Sequence, residues 1–487
     1  MLPLLILVPL GLLVLLNLPY KTAATKLAFI LTLVLAAAQT ALVLLNPEGF
    51  WSANGPFSIP GFTLAADKLC QVLVLTVGIV VFVTVLVAEA TMSDPRQKFN
   101  FINLVLVGLI GMNGVAMVRD LFTLYVFLEI TAVASFVLIA VERGRDALEG
   151  AFKYIVLSAV ASVLMLAAIA VFLMVPKGTT CFDGLHDALA GAQGNFLAKL
   201  AMGAFLCGLF IKGGLVPFHG WLPAAYSTAP APVSVLLAGI ATKVSGIYAL
   251  IRLAASVFTP NDALSQVLML VGVVSIVVGA VAALTQGDFK RVLAYSSISQ
   301  MGYIVLGLGC ASQTGLIKGT GMSIGDLALI GAVFHFFNHA IFKSLLFVNS
   351  AAVERSVGTT ELSRLGGLGA KMPATSITNI LAVLSTAGVP PLAGFWSKLM
   401  IIAALWLAGF YTYAMIAIGL SVVTLAYLLI VHRRVFFGVL PEELLDVKEA
   451  PAEIVLAAVV LGAVVVGVGV AIPFLPKSLI WPLIPNM

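Results

Sequence analysis

Charged side chains are scarce in this chain: Asp, Glu, Lys and Arg make up 10% of its 487 residues, against about a quarter in a soluble globular domain. No long polar stretch separates the apolar runs, which argues against an aqueous domain folding apart from the rest. Cysteine is nearly absent too. The four present, Cys70, Cys181, Cys207 and Cys310, lie far apart and form no CxxC pair, which argues against an iron–sulfur cluster, a zinc site or a disulfide framework. They read as small apolar packing residues. Phosphate-binding glycine patterns are missing as well: there is no GxxxxGK[ST] and no GxGxxG after a strand, and the GGLG at Gly366–Gly369 stands in a loop. ATP hydrolysis and NADH oxidation are therefore not expected here, no cofactor is expected, and no nucleophile or metal motif supports an enzyme. The formal charge of +5 is spread over short connecting segments, with no polybasic tract that would point to nucleic acid.

What remains is apolar. Hydrophobic residues make up 61% of the chain and the mean hydropathy is +1.14, the composition of an integral membrane protein. A helix needs about 20 apolar residues to cross the hydrocarbon. Cutting the sequence at its polar or Gly/Pro-rich breaks gives about fourteen such segments on that criterion, centred near Val8, Leu35, Gly78, Leu109, Ile130, Met165, Phe210, Ile240, Ile276, Val305, Phe337, Val389, Gly419 and Val464. The apolar start, MLPLLILVPLGLLVLLNL, lacks a basic leader and a small-residue cleavage site, and reads as a retained first span rather than a signal peptide.

Alternating the connecting loops puts Lys21, Lys26, Arg96, Lys98, Arg143, Arg145, Lys290, Arg291, Arg355, Arg364, Lys371, Arg433, Arg434 and Lys448 on one side. The other side keeps Lys68, Arg119, Lys177, Lys199, Arg252, Lys318 and Lys477. By the positive-inside rule the richer side is cytoplasmic, so an even number of spans in the cell (inner) membrane leaves both termini outside. Two outer loops look longer than a connection requires, Asn46 to Asp67 and Pro176 to Asn195. The chain reads as one membrane domain, with a three-helix segment (1–99), two repeats (100–256 and 262–436) and a C-terminal helix (450–487).

Ionisable groups at membrane depth are costly and mark functional positions facing the protein interior. Here they are Glu129 in the fifth segment, Lys212 in the seventh, Lys243 in the eighth, His335, His339 and Lys343 in the eleventh, and Lys398 in the twelfth. In HFFNHAIFK the ionisable groups His335, His339 and Lys343 recur at i, i+4 and i+8. Each step turns the helix only slightly and climbs about 6 Å, so they line one face. Such a stripe suits water and exchangeable protons; the rival reading is histidines that bond a neighbouring carbonyl and fix packing. Burial makes a lysine's charge costly, and a movable carboxylate beside it restores that charge. Glu129 and Lys212 could thus form a proton site, or else a static ion pair that sets helix arrangement.

Gly213, Gly214 and Pro217 should interrupt the seventh helix, and Gly388, Pro390 and Pro391 the twelfth, because proline removes a donor and glycine frees the backbone. Breaks at membrane depth persist where protein or water satisfies the freed groups, typically on an ion or substrate path. Two broken helices of opposite direction, each beside a lysine and a tryptophan (Trp221, Trp396), fit an inverted-repeat transporter. The expected fold is thus an all-α polytopic membrane protein of about 14 transmembrane helices, with two inverted five-helix repeats and broken helices 7 and 12.

Four ordered stretches, FIKGGLVPFHGWLPAAYSTAPAPVSVLLAGIATKVSGIYALIR, DFKRVLAYSSISQMGYIVLGLG, HFFNHAIFKSLLFVNSAAV and STAGVPPLAGFWSKL, resemble the antiporter-like, proton-translocating membrane subunits of respiratory complex I, which are also found in Mrp-type Na+/H+ antiporters and group 4 membrane-bound hydrogenases. The resemblance runs from about Asn100 to Ile430. It implies fourteen helices with inverted five-helix repeats, a Glu129–Lys212 pair, Lys243 as a connecting lysine, His335, His339 and Lys343 as a central polar axis, and Lys398 as the terminal site. It also implies partner membrane subunits that supply redox chemistry or a counter-ion. Ala224 and Ala225 follow WLP where many complex I relatives carry an acid, which leans the assignment to the Mrp and hydrogenase branches and away from NADH-quinone oxidoreductase. The transported ion is H+ alone, or Na+ exchanged for H+. Two readings of other classes compete: a self-sufficient solute transporter, and an inactive relative kept for assembly, which loss of one member of the Glu129 and Lys212 pair would have favoured.

Overall fold

The computed structural model describes residues 2–18, 24–45, 57–59, 62–175, 178–191, 195–258, 261–317 and 320–474. Among them, the helices follow in chain order as α1 (Leu4–Leu16), α2 (Ala24–Leu45), α3 (Lys68–Thr91), α4 (Pro95–Met117), α5 (Leu121–Ile139) and α6 (Arg145–Met174). A short α7 (Phe182–Gly191) precedes α8 (Phe196–Lys212) and α9 (Trp221–Thr228). Then come α10 (Ala231–Ser256), α11 (Asp262–Leu284), α12 (Phe289–Cys310), α13 (Ile324–Val357), α14 (Pro373–Ala387), α15 (Ala393–Leu407), α16 (Tyr411–Phe436) and α17 (Ala452–Ala471).

Among the described residues, eleven helices are long and apolar enough to cross a membrane. The remaining expected segments are α1, which is shorter, and two that are interrupted, α8–α9 and α14–α15. The chain is a multi-span membrane protein. Four of its 21 acids cap helix starts: Asp67, Asp94, Asp120 and Asp288 each accept a backbone N–H two or three residues on, satisfying donors that the first turn leaves open.

Both interruptions fall at the predicted glycines and prolines. α8 ends at Lys212, Gly214 takes a left-handed conformation (φ +63°), and the helix resumes at Trp221. α14 ends at Ala387, Gly388 is left-handed (φ +86°), and α15 starts at Ala393. The peptide bonds Val216–Pro217 and Pro390–Pro391 are both cis. A further irregularity was not expected: α10 widens into π-helical turns at Leu237–Ala241 and Lys243–Tyr248. Such wide turns mark functional positions in many helices.

A small β-hairpin, β1 (Phe57–Ile59) with β2 (Phe62–Leu64), departs from the all-helical expectation. The backbone of Thr63 and Ala65 also bonds Met117 and Arg119 at the end of α4, so this loop finds its backbone partners as strand. Most of the remaining stretch between Asn46 and Gly61, and Pro176, Lys177 and residues 192–194 of the other long loop, lie outside the described residues, as does the chain beyond residue 474.

The interior belongs to α10, α12 and α13. The apolar stretch of α10 is 100% buried and that of α12 94%, whereas α6 and α16 bury only 33% and turn the rest outward. α13 packs against α3, α10, α12, α14, α15 and α17, so its polar groups sit at the centre of the bundle.

Candidate functional site: a buried lysine and histidine file

Lys212 is the last residue of α8 and its side chain is 0% exposed, yet its Nζ lies 2.9 Å from Glu129 Oε1 on α5. Glu129 is 29% exposed, so the pair is sealed on its basic side and open on its acidic side. Two serines of α6 organise it: Ser162 Oγ donates to Glu129 Oε1 at 2.6 Å, and Lys212 Nζ donates to Ser158 Oγ at 3.3 Å. The broken helix is finished by Trp221, whose Nε1 donates to Ile211 O at 2.9 Å while its ring stacks on Tyr154 at 4.2 Å. A carbonyl freed by the break therefore has a partner, as burial requires.

The break also lets two backbones meet. A Cβ on Gly246 of α10 would lie 2.2 Å from Gly213 Cα. Lys243, in the π-helical stretch of α10, is fully buried and donates to Ala238 O. His335, His339 and Lys343 are likewise 0% exposed and share one face of α13. The two imidazoles lie parallel with centroids 6.3 Å apart, and His335 Nδ1 is 2.9 Å from Ser397 Oγ on α15. Neither ring nitrogen of His339 has a protein partner among the described residues, although it lies within electrostatic range of Lys243, Lys343 and Lys398. Lys343 Nζ donates to Leu293 O at 3.0 Å.

Lys398 closes the set. Its Nζ donates to Thr386 O at 2.9 Å, at the C-terminal end of α14, and lies 4.4 Å from the centre of the Tyr303 ring. A helix C-terminus and an aromatic face both favour a cation, so the second break supplies what Glu129 supplies at the first. Among the described residues, Glu129 is the carboxylate within ion-pair distance of any lysine in the file, through Lys212.

Two basic residues assigned to loops from the sequence are in fact buried. Arg252 is 1% exposed inside α10 and forks onto Asp67, with Nη2 at 2.9 Å from Oδ1, while Arg119 Nη2 donates to Oδ2 at 2.8 Å and Tyr248 OH accepts from Arg252 at 2.7 Å. Burial pushes the Asp67 carboxyl up, but the hydrogen bond and charge of Arg252, with the charge of Arg119, outweigh it and hold the group below the usual carboxylate range. Lys290, 2% exposed on α12, pairs with Glu354 at 2.6 Å. Next to that pair, partial burial and then the Glu354 charge push the Glu142 carboxyl up, with Lys290 acting in the opposite sense. Span-by-span reading missed both networks because each needs partners from distant segments. The serines of α6, spaced i, i+4 in an apolar helix, were a visible but unspecific signal.

A continuous helical bundle with two helix breaks, and with buried lysines and histidines threaded between them, defines an antiporter-like membrane subunit. Residues 118–424 match the family described as NADH:quinone oxidoreductase/Mrp antiporter, transmembrane. The chain belongs to that family. It is 33% identical over 391 residues to the D subunit of the Na(+)/H(+) antiporter of Alkalihalophilus pseudofirmus, covering 80% of this chain and 75% of that protein. It is 32% identical over 448 residues to the N subunit of the NADH-quinone oxidoreductase of Desulforudis audaxviator, covering 90% and 86%. A chain of the Mrp complex from Dietzia sp. DQ12-45-1b has the same fold, with a TM-score of 0.86 over 99% of this chain and 95% of that one at 24% identity.

Proposed function

We propose that this chain is a proton-translocating subunit of a multisubunit membrane complex. Protons move stepwise through Lys212, Lys243, His335, His339, Lys343 and Lys398, and Glu129 sets the charge state of the first lysine. The observation that carries the reading is the Glu129–Lys212 pair at 2.9 Å beside a helix break, continued by buried basic groups to a second break at Lys398. Drawing Glu129 away would leave Lys212 buried without its counter-charge and drive its proton onward; its return would reload the lysine.

Partner subunits supply the drive, by redox chemistry or by a counter-ion. The similarity to the D subunit of an Na(+)/H(+) antiporter and the alanines at 224 and 225 favour an Mrp-type or hydrogenase-type assembly, with Na+ exchanged for H+ in the first case. The similarity to the N subunit of an NADH-quinone oxidoreductase supports a complex I-like assembly as the second reading. We place the chain in the cell (inner) membrane with both termini outside, and take 100–256 and 262–436 as its two inverted repeats between a three-helix segment (1–99) and a last helix (450–487).

Purifying the native complex in mild detergent and identifying its chains tests the assembly. Iron–sulfur and hydrogenase or quinone-reductase subunits would place it in a redox machine, small hydrophobic partners in an Mrp-type antiporter. Proton uptake by the single purified chain, with no partner, would overturn the subunit reading in favour of a stand-alone transporter.

A further inference from the structure

A second set of buried polar groups lies apart from the file just described. On α16, His432 is 6% exposed and its Nδ1 lies 2.9 Å from Asn379 Nδ2 on α14. Five residues earlier on the same helix, Tyr427 OH donates to Ser296 Oγ on α12 at 2.9 Å. Ser296, Gln300 and Tyr303 stand at i, i+4 and i+7 on α12, one face climbing about 10 Å, and the Tyr303 ring meets Lys398 Nζ at 4.4 Å. Lys212, Lys243 and Glu129 enter none of these contacts.

Gln300 is 0% exposed, and neither its amide oxygen nor its nitrogen has a protein partner among the described residues; the same is true of Asn379 Oδ1. Buried polar atoms are rarely left unbonded, and where protein does not bond them water does. Static packing between α12, α14 and α16 would be met as well by Leu at position 300. The lower end of the set is also distinctive: His432 precedes Arg433 and Arg434 in the last turn of α16, at the basic end of the bundle.

We infer that His432, Asn379, Tyr427, Ser296 and Gln300 form a second hydrated file that carries protons between Lys398 and the bundle end bearing Arg433 and Arg434, without passing through Lys212 or Lys243. The inference rests on the proton-translocating reading proposed above. His432 is the titratable group at the mouth, and Gln300 and the hydroxyls order the water between it and Lys398. No carboxylate belongs to the file, which makes it a route for protons rather than for a metal cation.

Hydration is tested by X-ray hydroxyl-radical footprinting of the intact native complex, read by mass spectrometry. Tyr427, although 2% exposed, should be oxidised by adjacent water at a rate within threefold of the exposed Tyr411, and Gln300→Leu should lower that rate at least fivefold. Tyr427 remaining at the unirradiated background would overturn the file. Transport is tested in proteoliposomes of the same complex. His432→Phe and Gln300→Leu should each slow proton uptake about tenfold in assembled complexes of wild-type subunit content; uptake at the wild-type rate in both would overturn the inference, leaving the groups as packing. Lys212→Ala run alongside separates the two readings: uptake that survives it sinks the stepwise route through the first lysine, while the footprint and the His432 and Gln300 variants still decide the second file.

Discussion

Lys212 Nζ and Glu129 Oε1 are 2.9 Å apart, with the lysine side chain fully sealed and the glutamate partly open. If they act as one unit, Glu129→Gln should lower proton translocation by the native complex at least tenfold, and Lys212→Met should do the same. The double variant should be no slower than Lys212→Met alone, because coupled residues are not additive. Dye-quenching assays on proteoliposomes measure all three; independent, multiplying losses would break the pairing mechanism.

The Asp67–Arg252 pair ties α3 to α10. Asp67→Asn strands a buried guanidinium, which costs about 3–5 kcal/mol when one partner of a buried pair is removed. Arg119→Gln should cost far less, since Arg119 is 20% exposed and Arg252 keeps its partner. Midpoints of unfolding in mixed micelles give the comparison.

That same carboxyl sets an acid limit. Its folded pKa lies below the ordinary value, so its stabilisation is fully present above the unfolded carboxyl value of about 3.9 and is lost as pH falls through the folded value. Wild type and Asp67→Asn should therefore differ by a constant amount from pH 7 to about pH 5, and converge only below about pH 4. Thermal unfolding followed against pH reads this out, and convergence already at pH 6 would contradict it.

Helix contact at the first break depends on Gly246. A methyl there meets Gly213 Cα and N at 2.2 Å, and both are backbone, so neither can swing aside. Gly246→Ala should abolish accumulation of folded subunit, while Gly462→Ala, whose nearest neighbour would be the Thr378 methyl at 3.9 Å, should accumulate normally. Detergent gel filtration of fluorescent fusions distinguishes the two.

Trp221→Phe keeps an aromatic ring against Tyr154 but leaves Ile211 O without its indole donor. Ile211 O still accepts the Gly214 N–H at 3.1 Å, so the variant loses one hydrogen bond of two, worth about 0.5–1.5 kcal/mol, and the expected effect is a slightly lower unfolding midpoint together with slower proton uptake, since Lys212 is the next residue. A variant with unchanged stability would show that the break does not need this cap.

Much of the bundle was legible along the chain because membrane insertion acts on each segment separately. Fourteen apolar runs, the polar stripe of α13 and both Gly/Pro breaks follow from local hydropathy, helical period and backbone chemistry, and each appears at its expected place among the described residues. The hairpin at Phe57–Leu64 was not legible, since its two strands pair with each other and one of them also bonds the distant backbone at the end of α4.

Where helices cross, where two of them break and which ionisable groups lie at depth are properties of windows of about twenty residues, and so could be read along the chain. The partners of those groups could not, because they come from other windows brought near by folding. Packing of the helices set Ser158 and Ser162 of α6 around the Glu129–Lys212 pair, drew Asp67 onto Arg252 across 185 positions, and brought Lys398 to the end of α14. Electrostatic pairing and hydrogen bonding act through a few ångströms of space, whatever the separation along the chain.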